Sequence, residues 1–81
     1  METENIKSRN DFIDFVESLH RDFLLNGSTW ENGDLGSFLA AMAAYASDLQ
    51  GFYNNNYGNI SADIPTWRAF ADILAGAEIY E

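Results

Sequence analysis

Cysteine is absent from the 81 residues, which excludes disulfide bonds and thiolate metal sites and suits a reducing compartment. A long apolar run is also absent, because no segment approaches the roughly 20 apolar residues that cross a bilayer. The opening residues, METENIKSRND, lack the basic start and the apolar stretch of a signal peptide. Together these absences predict a cytoplasmic protein with no membrane contact.

Positive charge is scarce: 4 basic residues face 13 acidic residues, for a formal net charge of −9. Such a field repels nucleic acid phosphates and anionic lipid head groups, so we expect no direct binding to DNA, RNA or a bare membrane. A basic protein partner is favoured, because opposite charge accelerates encounter. The alternative is that the acidity only keeps a small protein soluble.

Recognisable catalytic and metal motifs are missing as well. The sequence contains no D-x-D-x-D-G loop, H-E-x-x-H pair, glycine-rich phosphate loop or G-x-S-x-G elbow. His20 is the only histidine and is interpreted as a partly buried residue at the edge of an apolar stripe. Asp11, Asp14 and Glu17 cluster at the start of a helix, where they complement its dipole. We therefore expect no enzyme, no metal and no cofactor.

The first predicted helix starts at Ser8, with Asp11 three residues later in a variant of the capping box. Apolar residues then recur every three or four positions, as on one face of a helix: Phe12, Phe15, Val16, Leu19 and Phe23. Asn26-Gly27 ends this helix. We expect Trp30 to fold back over the core, where its indole N–H needs an acceptor.

The second helix is predicted from Leu35 to Phe52 or Tyr53, with Asp34 as its N-cap. Its core stripe is Leu35, Phe38, Leu39, Met42, Tyr45, Ala46 and Leu49. The opposite face carries no charge and consists of small residues, including Gly36, Ala40, Ala44 and Ser47. Since a surface helix normally carries charges on its outer face, this face is either packed on a second side or forms a homodimer interface.

The third helix is predicted to open at Pro65, a favoured first helical residue. Its core face is Trp67, Phe70, Ala71, Leu74 and Ala77, while Arg68 and Asp72 are placed outside as an i,i+4 pair. No segment alternates as a strand does. The pattern predicts a single all-α domain over residues 1–81, a compact three-helix bundle with a long loop between the second and third helices.

The stretch GFYNNNYGN, residues 51–59, raises the question of a binding loop. Tyrosine and asparagine are typical of recognition surfaces, so the candidate partner contacts are Asp48, Tyr53, Asn55, Tyr57 and Asp63. The alternative is that Phe52 and Tyr53 pack inward and the asparagines only form a turn. The functional hypothesis is a non-enzymatic protein of the immunity or antitoxin type, which inhibits a basic partner. A structural homodimer and an inhibitor that mimics nucleic acid charge are the alternatives.

Four ordered motifs carry a family resemblance: R-x-D-F-I-x-F-V from Arg9, W-E-N-x-x-L from Trp30, D-x-x-G-x-Y from Asp48 and P-x-W-x-x-F-A-x-x-L-x-x-A-x-x-Y-E from Pro65. The chain resembles a family of small bacterial proteins of unknown function, the DUF7660-type domain. The resemblance implies a helical fold and a bacterial cytoplasmic setting, and it supplies no catalytic residues. One departure is the second helix, where the family pattern leads one to expect charged residues among the alanines.

Overall fold

Three α-helices make up the fold, which we describe from a computed structural model that covers residues 3–80. Helix α1 is Arg9–Asn26, α2 is Leu35–Asn56 and α3 is Trp67–Ala77, with a short 3-10 turn at Gly27–Thr29. No strand occurs within residues 3–80. The prediction of an all-α three-helix bundle is confirmed, and the α2–α3 loop spans residues 57–66.

Each helix begins at a residue whose side chain caps it. The Ser8 hydroxyl accepts from the Asp11 amide at 3.1 Å and the Asp11 carboxylate accepts from the Ser8 amide at 3.2 Å, so the predicted capping box is confirmed. Asp34 caps α2 as predicted, accepting from the Ser37 amide at 2.8 Å. The predicted start of α3 at Pro65 is wrong: Thr66 is the N-cap, because its hydroxyl accepts from an amide in the first turn of the helix.

Helices α1 and α3 run parallel to each other, and α2 runs antiparallel to both. Phe12 near the start of α1 contacts Trp67 at the start of α3, with ring centroids 5.5 Å apart. Trp30, just beyond the end of α1, stacks on Phe38 near the start of α2 at 5.9 Å. Helix α3 packs against both other helices, and its N-terminal end lies beside the C-terminal end of α2. The topology is up-down-up.

The buried core lies on both sides of α3, where this helix meets α1 and α2. Its central cluster is formed by Ile6, Phe15, Leu19 and Ala71, against which Phe12, Trp30, Leu74 and Ala75 pack. Trp30 covers this core, and its indole N–H donates to Asp22 at 2.8 Å, as the sequence predicts. Ile6 precedes α1, so the segment before the first helix contributes to the core.

Helix α2 extends one turn beyond its predicted end, through Asn56. The asparagines expected to form the turn are helical, and the Asn56 side-chain amide donates back to the Phe52 carbonyl at 2.9 Å. The helix ends where the amides of Tyr57 and Gly58 both donate to the Tyr53 carbonyl, at 2.7 and 2.9 Å. Gly58 has φ of +76°, which a residue with a side chain rarely adopts, so the turn begins three residues later than expected.

The orientation of α3 differs from the predicted one. Asp72, expected outside, is only 7% exposed, whereas Trp67 and Phe70, expected in the core, are each more than a third exposed. The residues of α3 that face α2 are buried between the helices, and Asp72 tolerates this burial because polar side chains surround it. The i,i+4 pair with Arg68 does form, with Arg68 Nε 3.7 Å from Asp72 Oδ2.

The buried stripe of α2 is also rotated from the predicted one. Leu35, Leu39 and Ala46, expected in the core, are exposed, whereas Leu49 is buried as expected and Ala41 and Tyr53 are buried beside it on the same face. The reason is that the helix faces the bundle along a row that includes Ala41, Tyr45, Leu49 and Tyr53, so Leu35 and Leu39 fall to one side. The small residues Gly36, Ala40, Ala44 and Ser47 are all exposed.

Candidate functional site

A buried polar cluster joins three parts of the chain around Asp72. The Thr3 hydroxyl donates to Asp72 Oδ1, and the Tyr53 hydroxyl donates to Asp72 Oδ2 at 2.5 Å. Burial raises the pKa of the Tyr53 phenol, and the hydrogen bond to Asp72 raises it further. Because each partner comes from a different segment, this cluster fixes the segment before α1 and the end of α2 to α3.

Tyr57 holds two groups of opposite charge beside this cluster. Its hydroxyl donates to Glu4 Oε1 at 2.9 Å, and the Arg68 guanidinium lies over its ring, 4.4 Å from the centroid. The pKa of Glu4 is lowered by its own backbone amide and by the Tyr57 hydroxyl, while this same contact raises the pKa of Tyr57. Tyr57 is therefore held by contacts within the protein, although 38% of it is exposed.

The predicted partner contacts divide into accessible and inaccessible residues. Asp48 is exposed and accepts from the Tyr80 hydroxyl, and Asn55 and Asp63 are exposed in the last turn of α2 and in the loop. The prediction for Tyr53 needs correction: its ring is 1% exposed and its hydroxyl is bonded to Asp72, so no partner can reach it. The alternative prediction, that Tyr53 packs inward, is confirmed.

Gln50 fixes the position of the α2–α3 loop. Its side-chain nitrogen donates to the Ile60 carbonyl at 3.0 Å, and its side-chain oxygen accepts from the Ala62 amide at 2.7 Å. These bonds hold the middle of the loop against α2. Asn55, Tyr57 and Asp63 are therefore displayed by an ordered segment at one end of the bundle.

A groove of about 710 Å³ opens at this same end, beside the N-terminus of α3. Its apolar wall includes Ile6, Ile60, Trp67 and Phe70, and its charged residues are Glu4, Lys7 and Arg68. We call it the Arg68 groove. Two of the four basic residues of the chain thus line one cavity in a strongly acidic protein.

The opposite end of the bundle is acidic. The indole N–H of Trp30 donates to Asp22 at 2.8 Å, and the backbone amide of Asn32 donates to the Glu78 carbonyl at 3.1 Å. Glu31 is exposed and lies between Trp30 and Asn32 in the sequence. Burial raises the pKa of the Glu78 carboxyl, and the nearby charge of Asp22 raises it further. We call this surface, formed by Asp22, Glu31, Asp34 and Glu78, the acidic end.

A small apolar pocket of about 220 Å³ lies within the acidic end. Phe23, Leu35 and Phe38 line it together with the Asn32–Leu35 turn, which includes the carboxylate of Asp34. Within residues 3–80, Arg68–Asp72 is the one ion pair between a basic and an acidic side chain, so the carboxylates here lack a salt-bridge partner. The surface combines apolar area with uncompensated negative charge.

Between Thr3 and Tyr80, no three histidine or acidic side chains are arranged to hold a metal ion. His20, expected to be partly buried, is exposed because α1 turns Phe15 and Leu19 inward instead. None of the helices in this part of the chain has the length and apolarity required to span a bilayer.

Sequence reasoning missed three features of these surfaces. The pairing of Lys7 with Arg68 in one groove leaves no sequence signal, because the two residues are 61 positions apart. The burial of Asp72 is not predicted, because its i,i+4 spacing from Arg68 is typical of an exposed ion pair. The acidic end did have a signal, since no basic residue occurs between Arg21 and Arg68.

Comparison with known proteins identifies one relationship. Searches of curated proteins and of solved structures found no match. The model of a family of unknown function, DUF7660, matches residues 8–81 and so covers all three helices but not the segment that carries Thr3, Glu4 and Ile6. With nearly the whole chain matched, the protein belongs to this family of unknown function, DUF7660.

Proposed function

We propose that the protein is a non-enzymatic domain that binds a basic protein partner, and that the acidic end is its contact surface. In its most concrete form, the domain acts in a bacterial cytoplasm as an immunity or antitoxin protein that inhibits a basic toxin. The observation that carries the proposal is the apolar pocket of Phe23, Leu35 and Phe38, which Asp34 also lines, at an end of the bundle whose carboxylates have no basic partner within residues 3–80.

This combination fits a lysine or arginine side chain. The aliphatic part of such a side chain packs on apolar surface while its charged end reaches a carboxylate. Asp34 is exposed and lines the pocket, Glu31 is exposed at the same end of the bundle, and Asp22 and Glu78 are half-buried there. The half-buried carboxylates interact with a bound cation through less solvent and so contribute more than surface charges do.

Long-range charge supports the same proposal. A net charge of −9 attracts a basic protein before contact and raises the rate of association. The exposed residues Asn55, Tyr57 and Asp63 lie at the other end of the bundle, and Asp48 lies nearer the middle of α2. They form a second contact only if the partner extends along α2, which alanine at Tyr57 tests separately.

The test is affinity capture from the native host with matched variants. The protein carrying both Glu31→Gln and Glu78→Gln is compared with one carrying both Asp14→Asn and Glu17→Gln, which removes the same charge from exposed sites on α1. We expect the first pair to lose capture of a basic protein at 50 mM salt and the second pair to retain it. Equal capture by both variants contradicts the assignment of the acidic end.

A homodimer remains the second candidate, favoured by one observation. Gly36, Ala40, Ala44 and Ser47 are all exposed on α2, next to the exposed Leu39. A flat, uncharged surface of this kind permits close approach of a second helix. Sedimentation decides between the two: a monomer at several hundred micromolar, or an Ala44→Glu variant of unchanged mass in solution, rules out this interface.

A further inference from the structure

The Arg68 groove is not part of the surface proposed to bind a basic protein, and its residues are of a different kind. It lies at the end of the bundle opposite the acidic end, and its apolar wall of Ile6, Ile60, Trp67 and Phe70 bears both signs of charge at its edge. A volume of about 710 Å³ is within the range of roughly 300–1,000 Å³ typical of small-molecule sites.

The two opposite charges are held in place by one residue. Tyr57 donates to the Glu4 carboxylate at 2.9 Å and supports the Arg68 guanidinium against its ring at 4.4 Å. The backbone amide of Glu4 and the Tyr57 hydroxyl lower the pKa of this carboxyl, which favours its charged form. A ligand would therefore meet a fixed anion and a fixed cation without first having to order either side chain.

Arg68 is incompletely compensated by the protein. Its distance of 3.7 Å from Nε to Asp72 is too long for a hydrogen bond, and in residues 3–80 neither Nε nor Nη2 has an acceptor although both are enclosed. Lys7 lines the same groove, and the N-terminus of α3 borders it through Thr66. Lys7, Arg68 and the N-terminus of α3 all contribute positive potential to the groove, and each of them favours a carboxylate.

We infer that the Arg68 groove binds a free α-amino acid with a large apolar side chain. The carboxylate of the ligand lies toward Arg68 and Lys7, its ammonium group toward Glu4, and its side chain against Trp67 and Phe70. Each of the three parts of the ligand has a complementary part in the groove, whereas a simple anion or cation would leave one charge of the groove unused. This inference does not depend on the proposed protein partner.

The test titrates the 81-residue chain with four small molecules at pH 7 and monitors its amide signals by nuclear magnetic resonance. L-phenylalanine carries all three parts; 3-phenylpropionate lacks the ammonium group, phenethylamine lacks the carboxylate, and glycine lacks the side chain. We expect L-phenylalanine to shift the signals of Lys7, Ile60 and Trp67, with a Kd on the order of 1 mM or below. The other three should bind about tenfold more weakly or not at all.

Two protein variants check the placement of the ligand. Lys7→Gln should weaken L-phenylalanine binding several-fold, and Arg21→Gln, which removes an exposed charge on α1, should not. Arg68→Gln should abolish binding. If that variant does not fold, Lys7→Gln and the comparison of the four ligands still test the inference. The inference is overturned if L-phenylalanine leaves the groove signals unchanged at 10 mM, or if any of the three partial ligands binds as tightly as it does.

Discussion

The hydroxyl of Tyr53 donates a hydrogen bond of 2.5 Å to Asp72, and both residues are buried where α2 crosses α3. This contact fixes the register of the two helices at the end that carries the Arg68 groove. A buried carboxylate is tolerated only where donors surround it, and here Tyr53 and Thr3 supply them. Much of the specificity of this small fold therefore depends on one polar cluster.

Removing the Tyr53 hydroxyl should destabilise the protein without changing its packing volume much. We expect Tyr53→Phe to lower the free energy of unfolding by about 1–3 kcal/mol, because it leaves Asp72 buried with one donor fewer. Tyr57→Phe is the matched control, since its hydroxyl bonds to Glu4 at an exposed position and should contribute clearly less than the buried bond does. Urea unfolding of both variants measures the difference; equal values would contradict a special role for the buried bond.

Stability should fall at alkaline pH because of the same residue. The folded-state pKa of Tyr53 is raised above its unfolded value of about 10, so the folded protein holds this proton more tightly. The stabilisation is complete below pH 10 and is lost as pH rises toward the folded pKa, by about 1.4 kcal/mol per pH unit for one tyrosine. Denaturant midpoints from pH 8 to 11.5 test this, and Tyr53→Phe should flatten the curve. A midpoint that stays constant to pH 11.5 would be inconsistent with it.

The close approach of α3 to α2 at Gly76 gives a third prediction. A Cβ at this position would lie 2.5 Å from the Tyr45 ring, so Gly76→Ala should destabilise the protein by about 1–3 kcal/mol in spite of the better helix propensity of alanine. Gly51→Ala is the control, because nothing lies within 4 Å of its Cβ position on exposed α2. That variant should gain about 0.5–1 kcal/mol. Thermal unfolding separates the two, and a stabilising Gly76→Ala would show that the approach is not tight.

The loop clamp at Gln50 can be tested by hydrogen exchange. We expect Gln50→Ala to cost about 1–2 kcal/mol and to speed exchange of the Ala62 amide, which loses its acceptor at 2.7 Å. Asn56→Ala, which removes an exposed bond to the Phe52 carbonyl, should leave the Ala62 amide protected. Unchanged exchange at Ala62 in the Gln50 variant would mean that other contacts order the loop.

Local signals in the sequence were sufficient to locate the helices. The caps at Ser8 and Asp34 and the stop at Asn26-Gly27 depend on neighbours within four residues, and all three were predicted correctly. Which face of a helix is buried depends on residues that are distant in the sequence. For this reason the hydrophobic pattern wrongly predicts Asp72 outside the core and Leu35 inside it. Nothing near Asp72 in the sequence indicates that Tyr53 and Thr3 would satisfy it across 19 and 69 positions.

The candidate surfaces also divide into features that the local sequence predicts and features that depend on distant contacts. Exposure of Asn55 and Asp63 agrees with their polar surroundings in the sequence, whereas the burial of Tyr53 required knowledge of how α2 faces α3. The acidic end and the Arg68 groove each bring together residues from the two halves of the chain. These residues come together because of the way the three helices pack. The hydrophobic pattern predicts the helices but not their relative orientation.

Binding of a basic partner at the acidic end is tested most directly by measuring its Kd as a function of salt concentration. The protein captured from the native host is titrated with the wild-type chain and with the Glu31→Gln, Glu78→Gln variant between 50 and 500 mM salt. We predict that the wild-type Kd rises about tenfold or more over this range, and that the variant starts weaker and depends less on salt. A Kd that is the same for both chains and constant with salt would contradict the claim.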